Sequence, residues 1–184
     1  GYILRVPSID IAEVSSGGGS IAWVDKGGSL QSGPQSAGAV PGPVCYGRGG
    51  IEPTVTDANV VLGYLNPDYL LGGKFSIDSE SAKKSLHDKI GVPLGMSDTE
   101  AANGVHLLVN SNMARALRAV STERGRDPRK FTLIAFGGGG PIHAAGLSES
   151  LGITRIIIPP SPGVFSAFGL LFADLEHHFV QTHF

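Results

Sequence analysis

The sequence lacks the features that mark several large classes of protein. Its 184 residues carry 14 Lys and Arg against 16 Asp and Glu, a net charge of −2, so the basic excess typical of nucleic-acid-binding and membrane-surface proteins is absent. The one cysteine, Cys45, excludes an internal disulfide and favours a reducing compartment, which we take to be the cytoplasm. No apolar run approaches the roughly 18 residues of a membrane-spanning helix, and no signal peptide is recognisable. Charged residues make up only 16%, against about 25% on average, which suggests that much surface is buried against a partner.

Glycine and proline are plentiful instead, and they are densest in one long segment. Gly33–Pro53 holds six glycines and four prolines in 21 residues, a density that predicts neither helix nor strand. Long loops of this kind are usually functional or disordered. Apolar side chains able to pack are also present there: Ala39, Val40, Val44, Cys45, Tyr46 and Ile51. We therefore expect an ordered loop pressed against a partner lobe, with Cys45 as a small buried apolar residue rather than a nucleophile.

Hydrophobic periodicity predicts an α/β fold, interpreted as one domain over residues 1–184. After an extended segment, Tyr2–Val14, two short strands at Ile21–Asp25 and Leu30–Gly33 form a hairpin across a Gly-Gly turn. Apolar strands at Phe131–Phe136 and Ile153–Ile158 flank a helix, and such a strand–helix–strand unit with short links forms a parallel pair. Helical periodicity and the capping-box spacings of Thr54 with Asp57 and of Ser97 with Glu100 are the main helix signals. The predicted helices are Thr56–Leu65, Ser79–Ile90, Ser97–Gly125, Ile142–Leu151 and one from Val164 onward.

Four consecutive glycines, Gly137–Gly140, form the sharpest chemical feature. They lie between a predicted buried strand and a helix that Pro141 opens. The free N–H groups and the positive dipole end of such a helix favour an anion, and glycine lets that ligand approach the backbone closely. The pattern is neither a P-loop nor Gly-x-Gly-x-x-Gly. A nucleotide contact is the functional interpretation, and a tight packing turn is the structural alternative.

Three segments taken together resemble a known family. Leu133–Ile153 (LIAFGGGGPIHAAGLSESLGI) is similar to the adenosine-binding turn of the actin-like and heat-shock-chaperone ATPases. The predicted helix in Pro160–Asp174 follows that turn at a position matching a helix of the same superfamily. Gly17–Gly63, which begins GGGSIAWVDKGGSLQ, resembles the hydantoinase A and 5-oxoprolinase family, to which the nucleotide-binding subunits of acetone and acetophenone carboxylases also belong. The likeness covers essentially the whole chain.

The resemblance implies a fold, a cofactor and an activity. Members have two ribonuclease-H-like lobes with ATP between them, and they use ATP to open a cyclic amide such as hydantoin or 5-oxoproline, or to activate a ketone for carboxylation. The family's Asp-x-Gly-Gly-Thr phosphate turns are not found here, so this chain resembles most of the second lobe, with a mixed sheet flanked by helices. The most direct ligands of the phosphates and of Mg²⁺ are then expected elsewhere.

Partners and nucleotide contacts follow from the same resemblance. The expected partners are the N-terminal lobe of the same protein, a second subunit or fused domain of hydantoinase B type, and a small-molecule substrate. We expect the chain alone to be inactive and to bind ATP weakly. A ketone carboxylase subunit and a noncatalytic nucleotide-binding scaffold remain alternatives. The expected nucleotide contacts are Gly137, Gly138, Gly139, Gly140, Pro141 and His143.

Further residues have both a functional and a structural interpretation. Gly18, Gly19 and Ser20 could cradle a phosphate or substrate through backbone N–H groups, or could form a bend between strands. Arg48 could clamp an anion or lie in solvent.

Asp57 and Asn59 could orient a water, a metal or a substrate amide, and are our weak catalytic candidates. Helix capping explains them equally well. Glu123 and Arg124, at the end of the long helix, could reach the ribose or adenine or could simply cap that helix. We predict no metal site at His177, His178 and His183, because their spacing does not bring them onto one helical face.

Overall fold

Along the part of the chain that the structure describes, a strand hairpin comes first, four helices follow it, and strands and helices alternate only in the last third. The structure is a computed structural model whose described residues are 11–174, 179 and 181. Its helices are α1 (Val55–Val61), α2 (Ser79–Leu86), α3 (Val92–Leu94), α4 (Asp98–Val120), α5 (Gly140–Leu151) and α6 (Phe165–Leu170). Its strands are β1 (Ser20–Val24), β2 (Leu30–Ser36), β3 (Leu133–Ile134) and β4 (Ile156–Ile157). The predicted α/β class is confirmed.

The strands of the described residues form two separate two-stranded sheets. β1 pairs antiparallel with β2, and β3 pairs parallel with β4, so both predicted pairings are confirmed, each in its own sheet. β2 continues into the segment predicted to lack regular structure, because Ser36 pairs with Ser20 across an irregularity in register. A 3₁₀ turn at Val44–Tyr46 is a second regular element in that segment. The described end of the predicted extended segment, Ile11–Val14, lies in no strand.

Both predicted capping boxes are present. Thr54 and Asp57 cap α1 reciprocally, and Ser97 and Glu100 do the same for α4, which satisfies N–H groups that a helix start leaves free. The helices end earlier than periodicity predicted. α1 stops before Gly63, whose φ of +76° is left-handed, and a residue in that conformation cannot continue a right-handed helix.

The other two long helices also change geometry near their ends. The turn after α2 widens into a π-helical turn, His87–Gly91. α4 ends where the Ser121 hydroxyl donates to the Leu117 carbonyl at 2.6 Å, and a 3₁₀ turn at Thr122–Arg124 follows. A hydroxyl bonded back to the carbonyl four residues earlier bends or ends a helix.

The main core lies between the hairpin, α1 and α4. Its buried members include Ala22, Val55, Leu86, Ile90, Ala101, Val105 and Val109. Each fully buried Val, Leu or Ile side chain among them contributes about 1.5–3 kcal/mol to the stability of the fold. A smaller cluster joins Cys45 to Val60, Ile77 and Ala82, so the predicted burial of Cys45 is confirmed. Together these clusters fix α1, which carries two of the predicted site residues.

The parallel strand pair is more exposed than the sequence predicted. Ile134 is 50% exposed and Ile157 is 50% exposed, although both lie in apolar runs that indicate burial on both faces. Only β4 pairs with β3 within the described residues, so no further described strand adjoins this pair. Within the same residues, none of the helices combines the length and the hydrophobicity that crossing a bilayer requires.

Candidate functional site

Two glycine-rich turns from distant parts of the sequence meet at one place. A Cβ atom added to Gly139 would lie 3.9 Å from the backbone nitrogen of Gly18. The first turn is tied to α1, because the Gly18 carbonyl accepts hydrogen bonds from the Thr56 backbone nitrogen and hydroxyl, both at 2.9 Å. The second turn leads directly into α5, which packs on α4. The two predicted glycine motifs therefore belong to one site.

A cleft of about 630 Å³ opens beside the two turns. Its polar side is formed by the backbone of both turns together with Arg48, Thr56 and Asn59, and its apolar side by Tyr46, Leu65, Leu70, Leu71, Phe75 and Ile142. Among its described lining residues Arg48 is the sole charged side chain, and no carboxylate is present. Backbone N–H groups and one guanidinium make this cleft suited to an electron-rich or anionic ligand with an apolar part.

The first turn uses its glycines for close packing as well. A Cβ on Gly18 would come 2.8 Å from the Thr56 hydroxyl, and a Cβ on Gly19 would come 2.8 Å from the Ser36 hydroxyl. Ser20 closes the turn, since its hydroxyl accepts a hydrogen bond from the Gly17 nitrogen at 3.0 Å. Gly18 and Gly19 line the cleft and Ser20 does not. Of the three residues of the predicted cradle, only the two glycines therefore lie on the cleft wall.

The second turn places its four glycines differently. Gly137 has a left-handed φ of +86°, and its nitrogen donates to the Pro162 carbonyl at 2.7 Å. Gly138 and Gly139 line the cleft, and a Cβ on Gly138 would meet no protein atom within 4 Å. Gly140 starts α5 and lines a separate apolar groove against α4. Of the expected nucleotide contacts, Gly138 and Gly139 are therefore the two on the cleft wall.

His143 lies under the site and not on its wall. Its side chain is 1% exposed, and its Nδ1 lies 2.7 Å from the Asn110 Oδ1. Its ring stacks on that of His106, with ring centres 4.8 Å apart and an angle of 18° between the planes. Burial and then the neighbouring His106 lower the pKa of His143 to about 4, so the ring is neutral at physiological pH. Pro141, on the first turn of α5, is also absent from the cleft lining.

Asp57 organises the glycine-rich loop. Its fully buried carboxylate accepts hydrogen bonds from the backbone nitrogens of Val44 (3.2 Å), Cys45 (2.7 Å) and Thr54 (2.8 Å), and from the Thr54 hydroxyl (2.8 Å). Both oxygens are therefore engaged, and the residue does not line the cleft. Of the two interpretations of Asp57, this geometry favours the structural one, helix capping. Burial, reinforced by this carboxylate, raises the pKa of the Cys45 thiol well above its usual range.

Arg48 and Asn59 are the two predicted side chains that do face the cleft. The Arg48 guanidinium carbon lies 5.0 Å from the centre of the Phe75 ring, a cation–π distance that holds one guanidinium face against an aromatic surface. Tyr46 packs edge-on against the same ring at 5.1 Å. Asn59 is 2% exposed, and its Oδ1 lies 2.9 Å from the His106 Nδ1.

The remaining predicted positions lie elsewhere. Glu123 lines a different cavity beside Val14 and Gln31, and Arg124 belongs to the 3₁₀ turn after α4; neither lines the cleft. His177, His178 and His183 fall outside the described residues. Within the described ranges, no three His, Cys, Asp or Glu side chains are grouped so that they could hold a metal ion.

Sequence reasoning missed His106 and Asn110, which hold Asn59 and His143. The sequence does contain a feature that points to them, because both are polar residues next to the apolar Val105 and Val109 on the buried face of α4. A polar residue on a buried face needs a hydrogen-bonding partner.

Known proteins with similar sequences identify the family of the chain. A family model described as hydantoinase/oxoprolinase matches residues 1–179. The chain is 46% identical to the caprolactamase alpha subunit of Pseudomonas jessenii, over 98% of this chain and 26% of that protein. It is 45% identical to the acetophenone carboxylase gamma subunit of Aromatoleum aromaticum, over 98% of this chain and 25% of that one. The chain therefore spans about a quarter of the length of these relatives.

Solved structures show the same fold. The nucleotide-free structure of acetone carboxylase matches with a TM-score of 0.81 at 37% identity, over 88% of this chain and 23% of that one. The crystal structure of the ATP-dependent caprolactamase from Pseudomonas jessenii matches with a TM-score of 0.78 at 50% identity, over 86% and 23%. Both similarities confirm the α/β fold, which in each of these solved structures is part of a longer chain.

Proposed function

Because the chain belongs to the hydantoinase/oxoprolinase family, we propose that it is the nucleotide-binding lobe of an ATP-dependent hydrolase that opens cyclic amides. The observation that carries the proposal is the meeting of the two glycine turns at a cleft whose described lining has a single charged side chain, Arg48. Backbone N–H groups at the start of α5 and a guanidinium favour phosphate oxygens. The apolar side of the cleft suits the less polar part of the same ligand or of a ring substrate.

The chemistry explains why ATP is needed. An amide nitrogen is a poor leaving group, so water opens an unstrained lactam very slowly. Transfer of the γ-phosphoryl group to the amide oxygen releases ADP and leaves an O-phosphorylated imidate. Water then adds to its carbon, and the tetrahedral adduct collapses by breaking the C–N bond, with the nitrogen taking up a proton and an acyl phosphate remaining. A second water hydrolyses the acyl phosphate to the carboxylate and inorganic phosphate. The protein mainly has to position the reactants and stabilise negative charge on oxygen.

The described cleft residues fit the nucleotide better than its metal. Mg²⁺ prefers carboxylates, phosphates and water, and the described lining offers no carboxylate. We therefore propose that Mg²⁺ is held by the phosphates and by residues outside this lobe. The partners proposed for the site are an N-terminal lobe of the same protein and a second subunit or fused domain of hydantoinase B type, in a cytoplasmic enzyme.

A ketone carboxylase is the second candidate, and the near-equal identity to the acetophenone carboxylase gamma subunit favours it. The test is ATP consumption by the full-length protein. Dependence on ε-caprolactam, hydantoin or 5-oxoproline supports the hydrolase. Dependence on acetone or acetophenone plus bicarbonate supports the carboxylase. ATP binding without turnover on any of them would indicate a scaffold, and absence of ATP binding would refute all three.

Two matched variants connect that activity to the cleft. Neither Gly17 nor Gly138 has a protein atom within 4 Å of an added Cβ or a left-handed φ, so alanine fits the fold at both. Only Gly138 lines the cleft. Gly138→Ala should weaken ATP binding by about tenfold or more, equivalent to about 1.4 kcal/mol, whereas Gly17→Ala should leave it unchanged. We also expect the 184-residue chain alone to bind ATP weakly, and sub-micromolar affinity by calorimetry would contradict this.

A further inference from the structure

Asn59 combines deep burial with an unused donor. It lines the cleft although its side chain is 2% exposed. Its Oδ1 accepts the hydrogen bond from His106 Nδ1, at 2.9 Å. Within the described part of the chain, no hydrogen bond engages its amide nitrogen. A buried amide group left unpaired costs about 1–3 kcal/mol, so a nearly buried NH₂ at a cleft wall is expected to be satisfied by what the cleft binds.

The His106 ring, which binds the Asn59 amide, packs against two other rings. His106, on α4, is 6% exposed and stacks on His143 at 4.8 Å. Tyr64 covers it from another side, with ring centres 4.9 Å apart. An oxygen can only accept, so the His106 Nδ1 must carry the proton in this contact. With the Asn59 Oδ1 bound to this packed ring, the amide nitrogen is the end left for the cleft.

The same contacts connect the two walls of the cleft. Asn59 lies on α1, below the first glycine turn, and His143 lies on α5, one turn after Gly139. His143 is anchored to α4 through Asn110 at 2.7 Å. A chain of buried contacts thus runs from the donor on one wall to the helix that carries the other wall. Hydrogen bonds in such a network are strong because the local dielectric is low, and the His143 Nε2 has no hydrogen-bond partner within the described residues.

We propose that Asn59 is a ligand-binding residue whose amide nitrogen donates a hydrogen bond to an electron-rich oxygen in the cleft, and that His106, stacked on His143, is its positioning residue. The inference rests on the proposed function for the identity of that oxygen. A phosphate oxygen of the nucleotide and the carbonyl oxygen of the cyclic amide share the required chemistry. Arg48 and the backbone N–H groups of the glycine turns, which line the same cleft, select for the same electron-rich oxygen.

The direct test is Asn59→Asp in the full-length protein. The substitution keeps an oxygen for His106 and replaces the donor with a negatively charged acceptor. We expect affinity to fall at least tenfold for one of the two ligands. The Kd for ATP is measured by calorimetry, and the KM of the ring substrate is measured in the activity assay. A rise in Kd assigns the phosphate oxygen, and a rise in KM alone assigns the carbonyl. Asn103→Asp, on the exposed side of α4, is the control and should change neither.

A second pair of variants tests the positioning role and covers a failure of Asn59→Asp to fold. His106→Asn retains an N–H near the position of Nδ1, whereas His106→Leu removes it. We expect His106→Leu to reproduce the binding defect and His106→Asn to restore binding to within about threefold of the wild type. A folded His106→Leu protein with unchanged Kd and KM overturns the inference, as does an unaffected Asn59→Asp protein.

These results separate the inference from the proposed function. If the wild-type protein binds ATP and turns over a ring substrate, and the variants have the same Kd and KM as the wild type, the role of Asn59 alone is overturned. A wild-type protein without ATP binding and without ring-dependent turnover overturns the proposed function and this inference together.

Discussion

Replacing Asp57 by asparagine should loosen the glycine-rich loop without touching the cleft directly. The carboxylate receives four hydrogen bonds, three at Oδ2 and one, from the Cys45 nitrogen at 2.7 Å, at Oδ1. An asparagine of the same shape keeps one acceptor, and it is best placed where the three donors converge. Its NH₂ group then faces the Cys45 N–H, so two donors oppose each other in a buried site.

The magnitude follows from those bonds. An unpaired buried N–H costs about 1–3 kcal/mol, and the three remaining bonds lose the strength that a charged acceptor gives. Together these effects reduce the free energy of loop opening by about 3 kcal/mol. Since 1.4 kcal/mol is tenfold in an equilibrium constant, the population of the open loop rises by about a hundredfold.

Cys45 reports that opening. The thiol is fully buried, and burial together with the Asp57 carboxylate raises its pKa, so the closed loop does not react with iodoacetamide at pH 8. The labelling rate of the Cys45 peptide, followed by mass spectrometry in the full-length protein, should rise about a hundredfold in Asp57→Asn. Asp25→Asn is the control, because Asp25 also caps backbone N–H groups but in the exposed hairpin turn. Equal labelling rates in Asp57→Asn and the wild type would refute the structural role assigned to this carboxylate.

Three other expectations concern different parts of the lobe. Gly50→Ala should open the glycine-rich loop to limited proteolysis, because the added Cβ would collide with the Gly42 carbonyl oxygen, a backbone atom. Gly146→Ala should lower the melting temperature, since its Cβ would lie 2.6 Å from the Asn110 amide nitrogen, at a cost of about 1–3 kcal/mol. The melting temperature should also fall as pH decreases from about 6.5 to 4. The pKa of His143 is about 4 in the folded protein, so the unfolded chain binds more protons over that range. His143→Phe should flatten this pH profile.

Local signals in the sequence were sufficient for much of the fold. The two capping boxes, at Thr54 and at Ser97, depend on residues three positions apart, and the hairpin depends on a short turn between two strands. The extent of the strands could not be predicted in the same way. The apolar run Phe131–Phe136 predicted six strand residues, and β3 has two. Strand length is set by the neighbouring strand, and only β4 provides one within the described residues.

The site was predictable in its backbone and not in its side-chain network. Gly18 and Gly139 were both identified from glycine density, but their contact depends on the packing of α1 and α5 against α4. His106 needed two partners, Asn59 and His143, that lie far away in sequence and on different helices. A single-sequence pattern shows that a polar residue falls on a buried face. It does not show which other buried polar residue will meet it.

The position of two residues on α1 shows why capping could account for only one of them. Asp57 and Asn59 are two positions apart, and an α-helix turns about 100° per residue, so their side chains point to nearly opposite sides. Asp57 reaches back to Thr54 and across to the loop at Val44 and Cys45. Asn59 faces α4 and the cleft. The capping spacing that explains Asp57 therefore says nothing about Asn59, whose burial between His106 and the cleft depends on packing between α1 and α4.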